Sequence, residues 1–138
     1  MQDRPSAHEL MAAVAEYLEG QAIPATEGAV QFQIRVCVHV LRILLREAEL
    51  GEVALWREWS GLAELLRSDA SRPPTLEALE GAVFELNESL AERIRSGEAD
   101  SGNWADAVFE HVKEATRDKA AIADPKLIDA DEGSPRRA

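Results

Sequence analysis

The sequence predicts an all-α protein, an antiparallel bundle of about five helices. Apolar residues recur at spacings of three and four over most of the first 123 residues, as on the buried faces of helices. No alternating run of β-branched or aromatic residues is bounded by hairpin turns, so no strand is predicted. The connections between the helical segments are short, which favours antiparallel packing of neighbouring helices.

Glycines and capping residues place the first two helices. Ser6 and Glu9 form a capping-box pattern, and the apolar period that follows continues to Gly20. A long second helix is predicted from residue 27 or 28 to Leu50, where Gly51 is expected to end it.

Three further helices follow. The third carries an apolar stripe made of Val53, Trp56, Trp59, Leu62, Ala63 and Leu66. A double proline at residues 73–74 ends the linker after it, and Thr75 caps the fourth helix, which continues to about Gly97. The fifth begins near Ser101 or Asn103 and ends at about residue 123.

Length and composition indicate one soluble domain. We predict a single domain over residues 1–123 and a loosely ordered tail over 124–138. The chain has 26 acidic and 15 basic residues, and a net charge of −11 disfavours nucleic acid as a partner. Cys37 is the single cysteine and lies in the most apolar stretch, so we expect a buried thiol and a reducing, cytoplasmic location. No export signal or membrane span is predicted.

Motifs for common cofactors do not occur. The sequence has no phosphate-binding glycine loop, no dinucleotide-binding fingerprint and no zinc-protease motif. Three histidines and one cysteine on separate helices do not suggest a metal site. No nucleophile and base occur together at helical spacing, so no catalytic residues and no cofactor are predicted.

A basic stripe runs along the second helix. At about 100° per residue, its four members fall within an arc of roughly 60°. They are Arg35, His39, Arg42 and Arg46. One interpretation is a solvated strip that pairs with glutamates of neighbouring helices. The other is an anion-binding site for a carboxylate or phosphate, including a nucleotide or coenzyme A.

Three polar residues fall inside apolar arcs of three helices: Glu47, Asn87 and Lys119. A buried carboxylate needs charged or hydrogen-bonding partners, so we predict that the three side chains meet in a buried polar cluster. Such a cluster could fix the register of the helices or form a ligand-binding or catalytic pocket. The alternative is that Glu47 and Lys119 both reach water and no cluster forms.

Four stretches resemble a family of short bacterial proteins known as a domain of unknown function. They are QDRPSAHELMAAVAEYLE, RVCVHVLRILLREAELG, LNESLAERIRSG and DKAAIADPKL, and they extend over most of the chain. The family's recurring polar positions match Arg35, Arg46, Glu47, Asn87, Lys119 and Pro125, whereas His39 departs from the family pattern.

The resemblance implies a function in small-molecule metabolism. Members of the family are encoded beside or fused to kinases that resemble aminoglycoside phosphotransferases, often near acyl-CoA dehydrogenases. We therefore expect a non-enzymatic helical accessory protein that interacts with such a kinase or a related acyl-metabolising enzyme, and that could form homo-oligomers. The alternative is a module that binds a small molecule, such as an acyl-CoA or a nucleotide, through the basic stripe or a buried polar pocket.

Overall fold

A computed structural model describes residues 4–69 and 71–128. In this part of the chain the structure contains helices and no strand, which confirms the all-α class. The α-helices are α1 (Ala7–Tyr17), α2 (Gly28–Leu66), α3 (Leu76–Arg95) and α4 (Asn103–Ala123). A π-helical segment, Leu18–Ala22, follows α1 directly.

Helix α2 is a single helix of 39 residues, so the predicted end at Gly51 is wrong. A glycine inside a helix costs about 1 kcal/mol relative to alanine. No proline lies near Gly51, and the apolar period continues on both sides of it. One glycine is therefore not enough to interrupt a long helix that has packing partners.

The chain divides into two compact units, Met1–Leu50 and Gly51–Ala138, called here the N-terminal unit and the C-terminal unit. Residues 28–50 of α2 belong to the first and residues 51–66 to the second. The single domain over residues 1–123 stays a prediction. Of the tail predicted over 124–138, residues 129–138 lie outside the described residues.

The N-terminal unit is a helical hairpin. Ser6 and Glu9 form the predicted capping box at the start of α1. His8 contacts Glu49 near one end of the hairpin, and Arg42 pairs with Glu19 further along it. Since the earlier residue of α1 contacts the later residue of α2, the two helices run antiparallel.

The C-terminal unit packs residues 51–66 of α2 against α3 and α4. Its buried core consists of Leu62, Leu79, Val83, Leu90 and Val108. Trp104 Nε1 donates a hydrogen bond of 3.2 Å to the Leu65 carbonyl, while Arg57 pairs with Asp118 at the other end of α4. These contacts make α4 antiparallel to this part of α2.

Two features of the N-terminal unit differ from a buried core. Cys37 is exposed, so the prediction that it is buried is wrong: α1 covers the side of α2 that carries Val38 and Leu45, and Cys37 points away from it.

Helix α2 contains an 18-residue window of mean hydropathy 1.4. This window is long and apolar enough to cross a membrane, but core helices of soluble proteins meet the same criterion. Only 11% of that window is buried.

Candidate functional site: a carboxylate shared by three helices

Glu58 is a buried carboxylate at the centre of the C-terminal unit. It is 7% exposed and projects from α2. Its Oε1 accepts a hydrogen bond of 2.9 Å from Asn87 Nδ2 on α3 and one of 2.8 Å from Lys119 Nζ on α4. A buried carboxylate is tolerated when charged and polar donors replace its hydration. One oxygen atom therefore connects three helices.

The sequence places Glu58 inside the apolar stripe of α2. Leu55, Leu62 and Leu65 lie three, four and seven residues from it, on the same side of the helix. Because these leucines pack against the core, the carboxylate between them is buried as well. Asn87 occupies the equivalent place on α3, between the buried residues Val83 and Leu90.

Lys119 reaches the carboxylate from the surface. Its side chain is 66% exposed, whereas that of Glu58 is 6% exposed. Most of the lysine side chain is therefore solvated, while its ammonium group contacts the buried acid. Burial alone would raise the pKa of Glu58, but the hydrogen bonds from Lys119 and Asn87 outweigh it, and the pKa is lowered. Glu58 is therefore ionised at neutral pH.

His111 packs against Gly61, which follows Glu58 by three residues on α2. A Cβ on Gly61 would stand 2.6 Å from His111 Nδ1 and 3.0 Å from Cε1, so the absence of a side chain on Gly61 makes room for the ring. His111 Nε2 is buried and has no hydrogen-bond partner in the described structure. Burial lowers the pKa of His111, although Glu58 and Glu114 act in the opposite direction. The imidazole is therefore neutral at pH 7.

A cleft of about 200 Å³ opens beside these groups. Glu58, Gly61 and His111 line it, and the ion pair between Arg57 and Asp118 lies at its edge. Arg57 Nη1 is 2.7 and 2.6 Å from the two carboxylate oxygens of Asp118. The cleft is predominantly acidic because Glu64 and Glu114 line it as well.

The carboxylate between Asn87 and Lys119 is Glu58 and not the predicted Glu47. Both side chains donate to Glu58 Oε1, but Lys119 is exposed and not buried as predicted. Glu47 is exposed and belongs to the N-terminal unit, so its predicted burial in the cluster is wrong. Glu58 follows Glu47 by eleven residues, close to three helical turns, and therefore shares its side of α2. The helical angle of Glu47 therefore predicts the correct side of α2 but not the correct turn.

The basic stripe lies on the polar side of the hairpin. Arg42 Nη2 is 2.5 Å from Glu19 Oε2, and this hydrogen bond raises the pKa of Arg42; Glu16 adds to the effect. Arg35 and His39 are exposed, and Arg46 is half-buried. Anion binding by these residues stays a prediction.

An apolar groove runs along α4. It has a volume of about 450 Å³ and is lined by Phe109, Val112, Ala120 and Leu127, with Lys113 and Arg117 as its charged members. Val112, at the middle of the groove, is 45% exposed. Among residues 4–69 and 71–128, no group of three or more His, Cys, Asp or Glu side chains is suited to hold a metal ion.

These features define an all-helical protein whose three-helix unit is built around a shared buried carboxylate. A family model described as Domain of unknown function (DUF6285) matches residues 24–127. The chain belongs to this family. Comparison with curated proteins and with solved structures finds no match.

Proposed function

We propose that the chain is a non-enzymatic accessory protein that binds a kinase resembling the aminoglycoside phosphotransferases. The partner class follows from the resemblance in the sequence. The structural observation that supports binding is the apolar groove on α4, where large side chains such as Phe109 and Leu127 are exposed. Exposed apolar patches of this kind commonly mark protein interaction sites.

The groove has the composition of an interface. Phe109 and Val112 offer an apolar centre, and Lys113 and Arg117 lie beside it, where Lys113 is 3.7 Å from the carboxylate of Glu110. In a chain of net charge −11, this local positive charge favours an acidic segment on the partner. An apolar anchor flanked by acidic residues would fit it.

The polar groups near Glu58 support a structural rather than a catalytic role. Glu58 Oε1 already accepts two hydrogen bonds, and the Ser60 hydroxyl donates to the Trp56 carbonyl at 2.9 Å. Ser60 lines the cleft with His111, but its proton is committed to the backbone. A nucleophile needs a hydrogen bond to its base, and this pair has none in the described structure.

Isothermal titration with a purified kinase of this class, encoded next to the chain, tests the proposal. Wild type should bind, and Val112→Glu should weaken binding at least tenfold, because a charge would enter the apolar centre of the groove. Phe84→Glu is the matched control: Phe84 is as exposed as Phe109 but lies on α3, away from the groove. Absence of binding by wild type at tens of micromolar, or equal loss with both variants, would contradict the proposal.

A second candidate uses the same groove for a small molecule. Its volume of about 450 Å³ lies within the range of ligand pockets, and its lining of apolar side chains with two cations suits an amphipathic anion such as an acyl-CoA. An acyl-CoA should raise the unfolding temperature of wild type and not of Val112→Glu. If Arg35→Ala abolishes this rise in unfolding temperature and Val112→Glu does not, the ligand binds the basic stripe. If a nucleotide without an acyl chain gives the same rise, the acyl chain is not needed for binding.

A further inference from the structure

The hairpin of the N-terminal unit has large apolar side chains that neither α1 nor α2 covers. Seven of them are between 46% and 64% exposed. These residues are Leu10, Val14, Tyr17, Val30, Val36, Val40 and Leu44. Together these seven residues form the hairpin face.

The members of the hairpin face lie on one side of the hairpin. Arg42 contacts Glu19 and is near Glu16, so these three residues mark the opposite, polar side. At about 100° per residue, Arg42 lies on one flank of the buried pair Val38 and Leu45, whereas the four members of the hairpin face on α2 lie on the back of the helix and on its other flank. Phe32 and Leu50 are exposed as well but lie between the polar flank and the back, so they are not members of the hairpin face.

The same division holds on α1. Glu16 and Glu19 project from one flank of the buried residue Ala15, and Leu10, Val14 and Tyr17 project from the other. Since α1 and α2 are antiparallel, their polar flanks coincide, and their apolar flanks coincide too. The hairpin face is therefore continuous across the two helices.

The hairpin face has the area of a small dimer interface. A large apolar side chain that is half exposed contributes on the order of 85 Å², so seven contribute roughly 600 Å². The small residues Ala13 and Cys37 are exposed as well. Two copies would therefore bury roughly 1,200 Å², the lower end of the range for stable interfaces.

The charge distribution favours protein over lipid as the occupant. A net charge of −11 repels anionic membrane surfaces. Glu47 lies between Val36 and Val40 at the edge of the face farthest from α1. A carboxylate at this edge can stay hydrated at the rim of a protein interface.

We propose that the hairpin face binds the hairpin face of a second copy of this chain. Helix α1 and residues 28–50 of α2 from two copies then form a four-helix bundle with a shared apolar core. Such a contact is isologous, because the same surface serves both partners, and it closes at two copies. It uses a surface separate from the α4 groove, so it does not depend on kinase binding.

Sedimentation equilibrium tests the proposal. The wild type at tens of micromolar should have twice the 15.1 kDa mass of the chain, and higher salt should strengthen the dimer by screening the like charges. Leu44→Glu, nearer the middle of the face than Glu47, should raise the dimer Kd at least tenfold while the helical circular dichroism stays unchanged. Phe84→Glu on α3 is the control and should leave the mass unchanged. A wild type that is monomeric at this concentration would overturn the proposal.

Cys37 gives a second readout in the same protein. It is exposed beside the hairpin face, and it is the single cysteine of the chain. Alkylation by a maleimide should slow as protein concentration rises, and in Leu44→Glu it should be fast at every concentration. If the wild type sediments with phosphatidylcholine vesicles and Leu44→Glu does not, the face binds lipid and the dimer proposal is overturned. Protection of Cys37 from alkylation that does not vary with protein concentration would also overturn the dimer, because the chain would then cover its own hairpin face.

Discussion

The imidazole of His111 on α4 lies directly against the backbone of Gly61 on α2. A Cβ on residue 61 would stand 2.6 Å from His111 Nδ1, a distance that Cβ atoms in proteins do not adopt. The contact explains why α2 carries a glycine in its interior, where it otherwise lowers helix stability.

Gly61→Ala should therefore destabilise the protein, by about 1 to 2 kcal/mol, although alanine is the better helix former. Chemical denaturation gives the free energy of unfolding. Gly81 on α3 is the control, because a Cβ there meets nothing within 4 Å, and Gly81→Ala should stabilise by about 0.5 to 1 kcal/mol. In a protein that already carries His111→Ala, Gly61→Ala should raise the free energy of unfolding, because the ring that it would meet is gone. If Gly61→Ala stabilises the wild type as well, the ring moves aside freely and the prediction is wrong.

Removal of the Lys119 ammonium should leave Glu58 buried with Asn87 as its remaining donor. Lys119→Met should lower the free energy of unfolding by about 1 to 3 kcal/mol, less than for a fully buried pair because water can approach from the exposed side. Adding Glu58→Gln should recover much of this loss, since it removes the unpaired charge. Glu47→Gln is the control and should change stability by less than about 0.5 kcal/mol, because Glu47 is exposed. Equal effects of the Lys119 and Glu47 substitutions would contradict the network.

Stability should fall with decreasing pH in two separate steps. The pKa of His111 is lowered in the folded protein, so the unfolded chain binds its proton first and stability is lost as pH falls below about 6.5. The pKa of Glu58 is lowered as well, so its contribution is present above about 4.5 and is lost as pH falls through the folded pKa.

Urea denaturation over this pH range separates the two groups. His111→Phe should remove the His111 contribution near pH 6, and Glu58→Gln should reduce the later loss. If both variants keep the wild-type pH profile, other groups control the acid sensitivity.

The ion pair of Arg42 with Glu19 should contribute little to stability. Both side chains are partly exposed, so a double-mutant cycle with Arg42→Met and Glu19→Gln should give a coupling of about 0.2 to 1 kcal/mol. Raising the salt concentration should reduce it further. A coupling well above this range would mean that the pair is desolvated.

Local signals in the sequence predicted the fold class and most helix boundaries. Ser6 and Thr75 accept hydrogen bonds from the first turns of α1 and α3, as their positions suggest. Gly51 did not end a helix, because tertiary packing outweighs the modest intrinsic cost of one glycine.

Helical angles predicted two of the three members of the buried network. Asn87 and Lys119 are polar positions inside apolar arcs, and both contact Glu58, although Lys119 is exposed and not buried as its angle predicts. Glu58 carried the same signal between Leu55 and Leu62, whereas Glu47 lies on an apolar side of α2 that no helix of its unit covers. An angle defines the side of a helix but not whether another helix lies there, which depends on the tertiary arrangement.

The aromatic residues are divided unequally between the two units. Trp56, Trp59 and Trp104 all belong to the C-terminal unit, where Trp56 and Trp59 pack edge to face with their centroids 5.6 Å apart. Tyr17, the single tyrosine, belongs to the N-terminal unit. Tryptophan fluorescence therefore monitors the melting of the C-terminal unit, whereas far-ultraviolet circular dichroism reports the helices of both units. Different midpoints for the two signals would mean, without any added label, that the two halves melt separately.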